Sequence, residues 1–387
     1  MASVVTVRTL TDGGQQPLDI AREIAGFVGA ARRSLDLAQY DFNLLPDTAA
    51  VVGGAIKEAA ERGVAVRFLY NLDHRLPIPV PPPPEPDGEL IASLGVPAKP
   101  IAGVPDLMHH KFAVRDGEAV WTGSTNWTDD SWSRQENVVV VVESAEIARA
   151  FTDDFDQLWD TGSVEQSGFV SPASAQVSGA QIRTWFTPGH GEDLSHRIAR
   201  AIGCAKRQIR ICSPVITAAP VLATLAQVVS EGEVDVAGCV DETQVEGVLY
   251  DWRRDDIAAW KIPLLERVLR APFSGKRSNP YEGSGSVHDF MHAKVTIADD
   301  TVFTGSFNLS RRGEKNAENV LEIHDAALAE RLAAYIDEVR GRYPPASAVP
   351  GDRPGTGERE ENESDDQVRA ERGERNSEDE GERAAGS

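Results

Sequence analysis

The sequence predicts an α/β protein in which one unit of helices and strands is used twice. Three observations lead there. Amphipathic helical segments alternate with short apolar strands along most of the 387 residues, the pattern of an α/β layer fold with a largely parallel sheet. The same segments return in the same order about halfway along the chain. A short polar motif then closes each copy. A chain of this length suffices for two domains or one large duplicated one.

In the first copy, PLDIAREIAGFVGAARRSLDLAQYDF (residues 17–42) reads as an amphipathic helix running into a strand. DLSHRIARAIGCAKRQIRICSPVI (193–216) has the same form, with AARRSLDL matching CAKRQIRI. A second helix and strand follow in each copy, AAVVGGAIKEAAERGVAVRFLYN and APVLATLAQVVSEGEVDVAGCV. LPIPVPPPPEP (76–86) is expected as an extended polyproline surface loop, because proline lacks the N–H that a helix or sheet needs. The polar, breaker-rich stretch SVEQSGFVSPASAQVSG (163–179) is the natural joint. The expected units are therefore residues 1–165 and 180–344. An insertion over 243–289 sets the second copy apart; its Trp252, Trp260, Lys276 and Arg277 are candidates for a substrate lip, with ordinary helix packing as the competing reading. Residues 345–387 are rich in charge, Gly, Ser and Pro without apolar periodicity, and a disordered acidic tail is expected there.

Composition narrows the function. Apolar residues make up 41%, ordinary for a globular protein. No stretch approaches the roughly 18 apolar residues of a transmembrane segment. The N-terminus lacks a secretory pattern, so a cytoplasmic location is expected. Cys204, Cys212 and Cys239 have neither a disulfide framework nor zinc spacing and are expected buried and reduced. The formal charge of −22 repels phosphate backbones and anionic membranes unless a local basic patch overrides it.

The motif carries the chemistry. In MHHKFAVRDGEAVWTGSTN, the residues His109, Lys111, Asp116, Gly123, Ser124 and Asn126 spell HxK-x4-D-x6-GSxN. In MHAKVTIADDTVFTGSFN, His292, Lys294, Asp299, Gly305, Ser306 and Asn308 repeat it, one residue shorter before the glycine. Each copy continues into a Glu-Asn pair, Glu136-Asn137 and Glu318-Asn319. KFAVRDGEAVWTG reads as a hairpin turning at Asp116-Gly117. Positions i and i+2 of a strand share a face, so His109 and Lys111 point one way and His110 the other, which makes His110 structural. Ser124 and Asn126 return on the second strand.

Two histidines, two lysines and two asparagines suit a phosphodiester. One imidazole attacks phosphorus while the other protonates the departing alcohol. Lys111, Lys294, Asn126 and Asn308, with Ser124 and Ser306, would hold the non-bridging oxygens. A nucleophilic imidazole needs an acceptor on its second nitrogen, and Glu136 and Glu318 are the candidates. No HExxH, carboxylate pair or CxxC is present, so neither a metal nor another cofactor is expected.

These repeated motifs resemble the HKD motifs of the phospholipase D superfamily, over residues 15 to 340. The resemblance implies two α/β/α halves related by a pseudo-twofold, with sheets sandwiched by helices and both motifs in one cleft. It also implies a metal-independent, two-step mechanism through a phosphohistidine, with His109 as nucleophile and His292 as general acid. Asp116 and Asp299 are expected to be structural hairpin residues, and the one-residue shortening to alter the turn and not the catalytic face.

Fold analogy does not choose among the superfamily's substrates. Phospholipase D action on a glycerophospholipid is the first expectation, because the acidic body is ill-suited to polyanions; it would bring peripheral membrane contact to a chain expected to be monomeric. The alternative is a metal-independent nuclease acting on DNA or RNA, with Trp127 stacking a base, although a core tryptophan is the commoner outcome. A phosphatidyltransferase such as a cardiolipin synthase ranks third, and a phosphate-binding module without turnover last.

Overall fold

The computed structural model describes residues 4–72, 86–103, 105–172, 174–279 and 287–347. The polyproline stretch, apart from Pro86, and the chain beyond residue 347 lie outside the described residues.

The first half opens with the edge strand β1 (Val4–Leu10), α1 (Pro17–Gly29) and β2 (Ser34–Gln39). It continues through β3 (Phe42–Asn43), α2 (Pro46–Glu61), β4 (Ala65–Leu72), α3 (Gly88–Ser93) and β5 (Ala98–Ala102). Pro17 and Pro46 start their helices, where the missing N–H would have gone unpaired anyway. The motif hairpin follows as β6 (Lys111–Arg115) and β7 (Ala119–Gly123). β8 (Trp127–Thr128), α4 (Asp129–Ser133), β9 (Asn137–Glu143) and α5 (Ala145–Thr161) complete the half.

The second half adds a hairpin, β10 (Ser174–Val177) and β11 (Ala180–Thr187), then repeats the series with α6 (Gly191–Cys204), β12 (Gln208–Ser213), α7 (Ala219–Glu231) and β13 (Asp235–Asp241). The insertion folds as α8 (Glu242–Trp252), α9 (Ile262–Val268) and β14 (Phe273–Lys276). The second motif lies on β15 (Val295–Ala298) and β16 (Thr301–Gly305), followed by α10 (Arg311–Lys315), β17 (Glu318–His324) and α11 (Ala326–Arg342).

The sheet orders are β1-β9-β7-β6-β2-β4-β5 and β10-β11-β17-β16-β15-β12-β13-β14. Only β2-β4-β5 and β12-β13-β14 are parallel in them. This corrects the largely parallel expectation: a hairpin joins antiparallel strands, and the motif hairpin sits in the middle of each sheet.

The halves share a core. Phe112, Phe151 and Phe155 belong to one apolar cluster with Val295, Leu321, Leu332 and Ile336. α5 buries Ile147, Phe151, Phe155 and Leu158, spaced to one helical face; each such side chain contributes about 1.5–3 kcal/mol when fully buried. α11 does the same with Leu328, Leu332, Ile336 and Val339. Ser144 and Asp325 cap these two helices through the backbone N–H of Ile147 and Leu328.

Two expectations need correction at this level. Residues 344–346 lie along β14, with Gly275 N donating to Pro344 O (2.9 Å) and Ala346 N to Phe273 O (2.9 Å), so order extends past residue 345. Cys212 and Cys239 are buried and free, but Cys204 is exposed. Among the described residues no helix is long and apolar enough to cross a membrane.

Candidate active site

The motif histidines meet where the halves join. His109 N donates to Ala317 O (2.9 Å) and Ala317 N to Leu107 O (2.8 Å), while Glu136 forms a backbone bridge with Met291. Each histidine is thereby pinned beside the other half's Glu-Asn pair.

The hairpins set this geometry. Asp116 and Asp299 turn them in the left-handed region, with φ of 57° and 50°. The Asp116 carboxylate accepts the backbone N–H groups of Arg32, Arg33 and Ser34, and that of Asp299 those of Lys206, Arg207 and Gln208. These bonds hold both carboxyls below their usual range against the opposing effect of burial. Each aspartate thus ties its hairpin to the start of β2 or β12, far from the reacting end. The missing residue falls in the turn: Arg115 pairs with Ala119 across three residues, Ala298 with Thr301 across two. Gly123 and Gly305 pass so close to the next strand that a Cβ would lie 2.1 Å from Val138 O or Asn319 O.

Four basic side chains converge in a nearly water-free space, with His109, Lys111, His292 and Lys294 at 6%, 1%, 9% and 4% exposure. Lys111 Nζ donates to His109 O (2.7 Å) and Lys294 Nζ to His292 O (2.8 Å). His109 Nδ1 is 2.8 Å from Glu318 Oε2, whose other oxygen accepts from Asn316 Nδ2 at 3.3 Å. His292 Nδ1 is 3.1 Å from Asn137 Oδ1. Asn137 Nδ2 donates to Ser131 O (3.0 Å), which fixes Oδ1 toward the imidazole. Each Nδ1 is thus engaged by a side-chain acceptor, and His109 also bonds the backbone of Ser306.

Electrostatically the pocket lacks an anion. Burial, then the two lysines, pushes His109 and His292 well below the usual histidine range. Burial brings Lys111 down to about 7 and lowers Lys294 strongly, with Glu318 opposing both shifts. Burial raises Glu318 to about 7 against the pull of Lys111. Glu318 acts on both lysines and Asp41 on Lys111, fewer carboxylates than the four basic side chains gathered there, so a bound phosphodiester would relieve the mutual repulsion. The side-chain oxygens of Asn126 and Asn308 are buried without a hydrogen-bond partner among the described residues, leaving two acceptors without a donor. Among the described residues no group of three or more His, Cys, Asp or Glu side chains could hold a metal ion.

Several expected roles are not where the sequence put them. Ser124 and Ser306 are fully buried and turned inward: Ser124 Oγ donates to Asn137 Oδ1 (2.7 Å) and accepts from Val138 N (2.9 Å), and Ser306 Oγ accepts from Asn319 N (3.0 Å) and bonds Glu318. They support the histidine partners and do not face a phosphate. Glu136 does not touch His292; it pairs with Lys276. Lys276 is therefore no lip residue, while Arg277 lies outside on Glu246 and Trp260 is exposed. Trp127 is fully buried against Phe42 and unavailable for base stacking. His110 is buried, accepting from Asn319 Nδ2 (3.2 Å), with Nε2 3.0 Å from Asp154.

Two neighbours were missed. Asn137 follows Glu136 in a pair that repeats with the motif, and that repetition was its signal. Tyr40 sets its ring edge-to-face on His109 (4.6 Å between centroids) with Lys111 Nζ 4.6 Å from its centre. Nothing local marks it except its place just past β2, beside the motif strand.

Comparison with known proteins places the chain in a family. A family model described as "Cardiolipin synthase, PLD-like domain" matches residues 24–159 and again 198–340. Mitochondrial cardiolipin hydrolase of Homo sapiens is 29% identical over 149 residues, covering 38% of this chain and 54% of that protein. The chain thus spans about half the length of that curated relative. Among solved structures, phosphatidylserine synthase of Haemophilus influenzae has a TM-score of 0.57 at 12% identity, covering 87% of this chain and 86% of that one. Polyphosphate kinase of Porphyromonas gingivalis has a TM-score of 0.55 at 12% identity, covering 86% and 46%. Both likenesses are of fold alone.

Proposed function

This chain belongs to the phospholipase D-like family, and on that premise we propose that it hydrolyses glycerophospholipids at the head-group phosphodiester through a phosphohistidine. The observation that carries the chemistry is the buried cluster of two histidines between two lysines, with one histidine backed by Glu318 at 2.8 Å. His109 Nε2 attacks phosphorus, the P–O bond to the head group breaks, and protonated His292 supplies the departing oxygen with its proton. Water, giving its proton to His292, then attacks the same phosphorus. The P–N bond breaks and phosphatidic acid leaves with His109 restored. Lys111, Lys294, Asn126 and Asn308 hold the non-bridging oxygens throughout.

The rim supports a lipid. Lys111 pairs with Gln39 and Gln39 with Tyr70, so Leu72, ending β4, lies at the motif end of the first sheet. Leu45 follows β3, whose partner β8 starts one residue after Asn126. Trp260 precedes Lys261, which donates to Thr217 O at 3.2 Å, and Thr217 N donates to Leu309 O beside Asn308. Leu45, Leu72 and Trp260 are all at least half exposed, an arrangement suited to acyl chains and a peripheral membrane contact. The strongly acidic composition disfavours a polyanion. A nuclease reading is favoured by one feature, Lys261 lying between the Trp252 and Trp260 rings at 5.5 and 5.8 Å.

The deciding experiment measures choline release from phosphatidylcholine micelles in excess EDTA, for the wild type and His292→Ala, with single-stranded DNA as the competing substrate. Release that survives the chelator and disappears in the variant supports the lipid reading. Cleavage of DNA without lipid turnover replaces it with the nuclease.

A further inference from the structure

The equivalent histidines do not have equivalent partners. Met108, next to His109, bridges to Ala317, next to Glu318; Met291, next to His292, bridges to Glu136. Glu136 thus starts within one residue of the position from which its counterpart holds a histidine, yet it turns away. Its Oε2 lies 2.9 Å from Lys276 Nζ, and its Oε1 accepts from the Tyr343 hydroxyl and from Asp12 N. Lys276 is itself fixed by Arg134 O (2.9 Å) and Asp12 Oδ2 (3.2 Å).

Besides that one-residue slip of the bridge, the symmetry breaks at a neighbouring register position. Met291 N donates to Asp241, and Met108 N to Asn71, so Asp241 and Asn71 are counterparts. Lys276 pairs with Asp241, and Ile101 with Asn71. An isoleucine therefore stands in the first half where the second has lysine. Glu318, with no lysine at that register position beside it, is available to His109. His292 is left with the neutral amide of Asn137.

We propose that Lys276 is a positioning residue that makes the two histidines unequal. By holding Glu136 it denies His292 a carboxylate and reserves the carboxylate-backed role, that of the nucleophile, for His109. The assignment of roles rests on the phosphohistidine reading above. Lys111 and Lys294 face both rings and each ring faces the other; His110 adds to the surroundings of His109 and His288 to those of His292. The groups common to both rings cannot separate them; the Nδ1 partners can, and a backbone bond between His109 and Ser306 acts in the same direction on His109 alone. A carboxylate on Nδ1 makes Nε2 more basic and stabilises the positive imidazole left after attack. An amide on Nδ1 makes the protonated ring the readier acid.

The test is a histidine-selective 15N titration of the full chain. In the wild type His109 titrates about one unit or more above His292. Lys276→Met frees Glu136 and closes that gap by raising His292. Lys276→Arg retains it, as does Lys276→Met combined with Glu136→Gln, which removes the freed carboxylate together with its unpaired charge. A wild-type order with His292 at or above His109 overturns the proposal without any variant. So does an unchanged gap in folded Lys276→Met. During turnover, acid-free quenching and peptide mapping place the phosphoryl adduct on His109 in the wild type and on both histidines in Lys276→Met. Turnover with no adduct on either histidine sinks the phosphohistidine reading, while the titration still decides the role of Lys276.

Discussion

Replacing Glu318 by glutamine changes one buried atom's chemistry and leaves its volume intact. The carboxylate takes three donors: His109 Nδ1 at 2.8 Å, Asn316 Nδ2 at 3.3 Å, and the Ser306 hydroxyl. Asn316 cannot simply turn over, because its Oδ1 accepts Leu107 N at 2.9 Å. A glutamine NH2 must therefore face Asn316 NH2 or His109. Facing His109, it forces the ring proton onto Nε2, the atom that attacks. Facing Asn316, it sets donor against donor in a space without water. The ammonium groups of Lys111 and Lys294 also lose the carboxylate that raises their pKa values. A lost buried bond to a charged group is worth about 1.5–3 kcal/mol, so the one bond broken in either orientation gives roughly 10- to 10²-fold in kcat, and the lost support of the two ammonium groups adds to it. The assay is turnover of a chromogenic phosphodiester in EDTA, with a melting curve to establish folding. A folded Glu318→Gln within about tenfold of wild type would show that the carboxylate does not orient the nucleophile.

The pH dependence follows from the same groups. Lys111 must be charged and titrates about 7, so kcat/KM falls as pH rises through that value; Glu318 must be ionised and also titrates about 7, so kcat/KM falls as pH drops through it. His292 must enter protonated and is pushed well below the usual histidine range by burial and the lysines, so the bell is centred on the acid side of 7, and a profile flat from mildly acidic to mildly alkaline pH would contradict it. Asp116→Ala strips the acceptor from three backbone N–H groups and should cost about 1–3 kcal/mol in denaturant unfolding, with kcat of the folded fraction retained. His110→Ala leaves Asp154 buried without its imidazole and should destabilise by about 3 kcal/mol, again sparing kcat; a selective loss of kcat would place His110 in the chemistry. Ending the chain at residue 342 removes the Tyr343–Glu136 bond and the pairing of residues 344–346 with β14. A lower melting temperature is expected, and an unchanged one would refute a structural role for that segment.

The helices and most strands were legible because each writes its own period into the chain. Residues 17–29 and 191–204 carry the 3.6-residue apolar stripe, and 111–115 the alternation of a strand. The antiparallel half of each sheet was less visible: local periodicity marks a strand but not its neighbour, and β1 and β11 reach β9 and β17 from distant parts of the sequence. Within the site, the spacing of His109 and Lys111 predicted a common face, and the turn position of Asp116 predicted its distance from the chemistry.

What the sequence by itself determined is the inventory and its doubling: two histidines, two lysines, two asparagines and two glutamates recurring in the same order at the ends of the motif strands. The tertiary structure alone decided which partner each received. Glu318 meets His109 from 209 residues away and Lys276 takes Glu136 from 140. Those distances leave no periodic trace, and two identical motifs imply identical surroundings until a lysine at one register position, opposite an isoleucine at the other, separates them. The physical reason is range: backbone periodicity acts over a few residues, whereas a buried charge pairs with whichever opposite charge the packed sheets bring within about 3 Å.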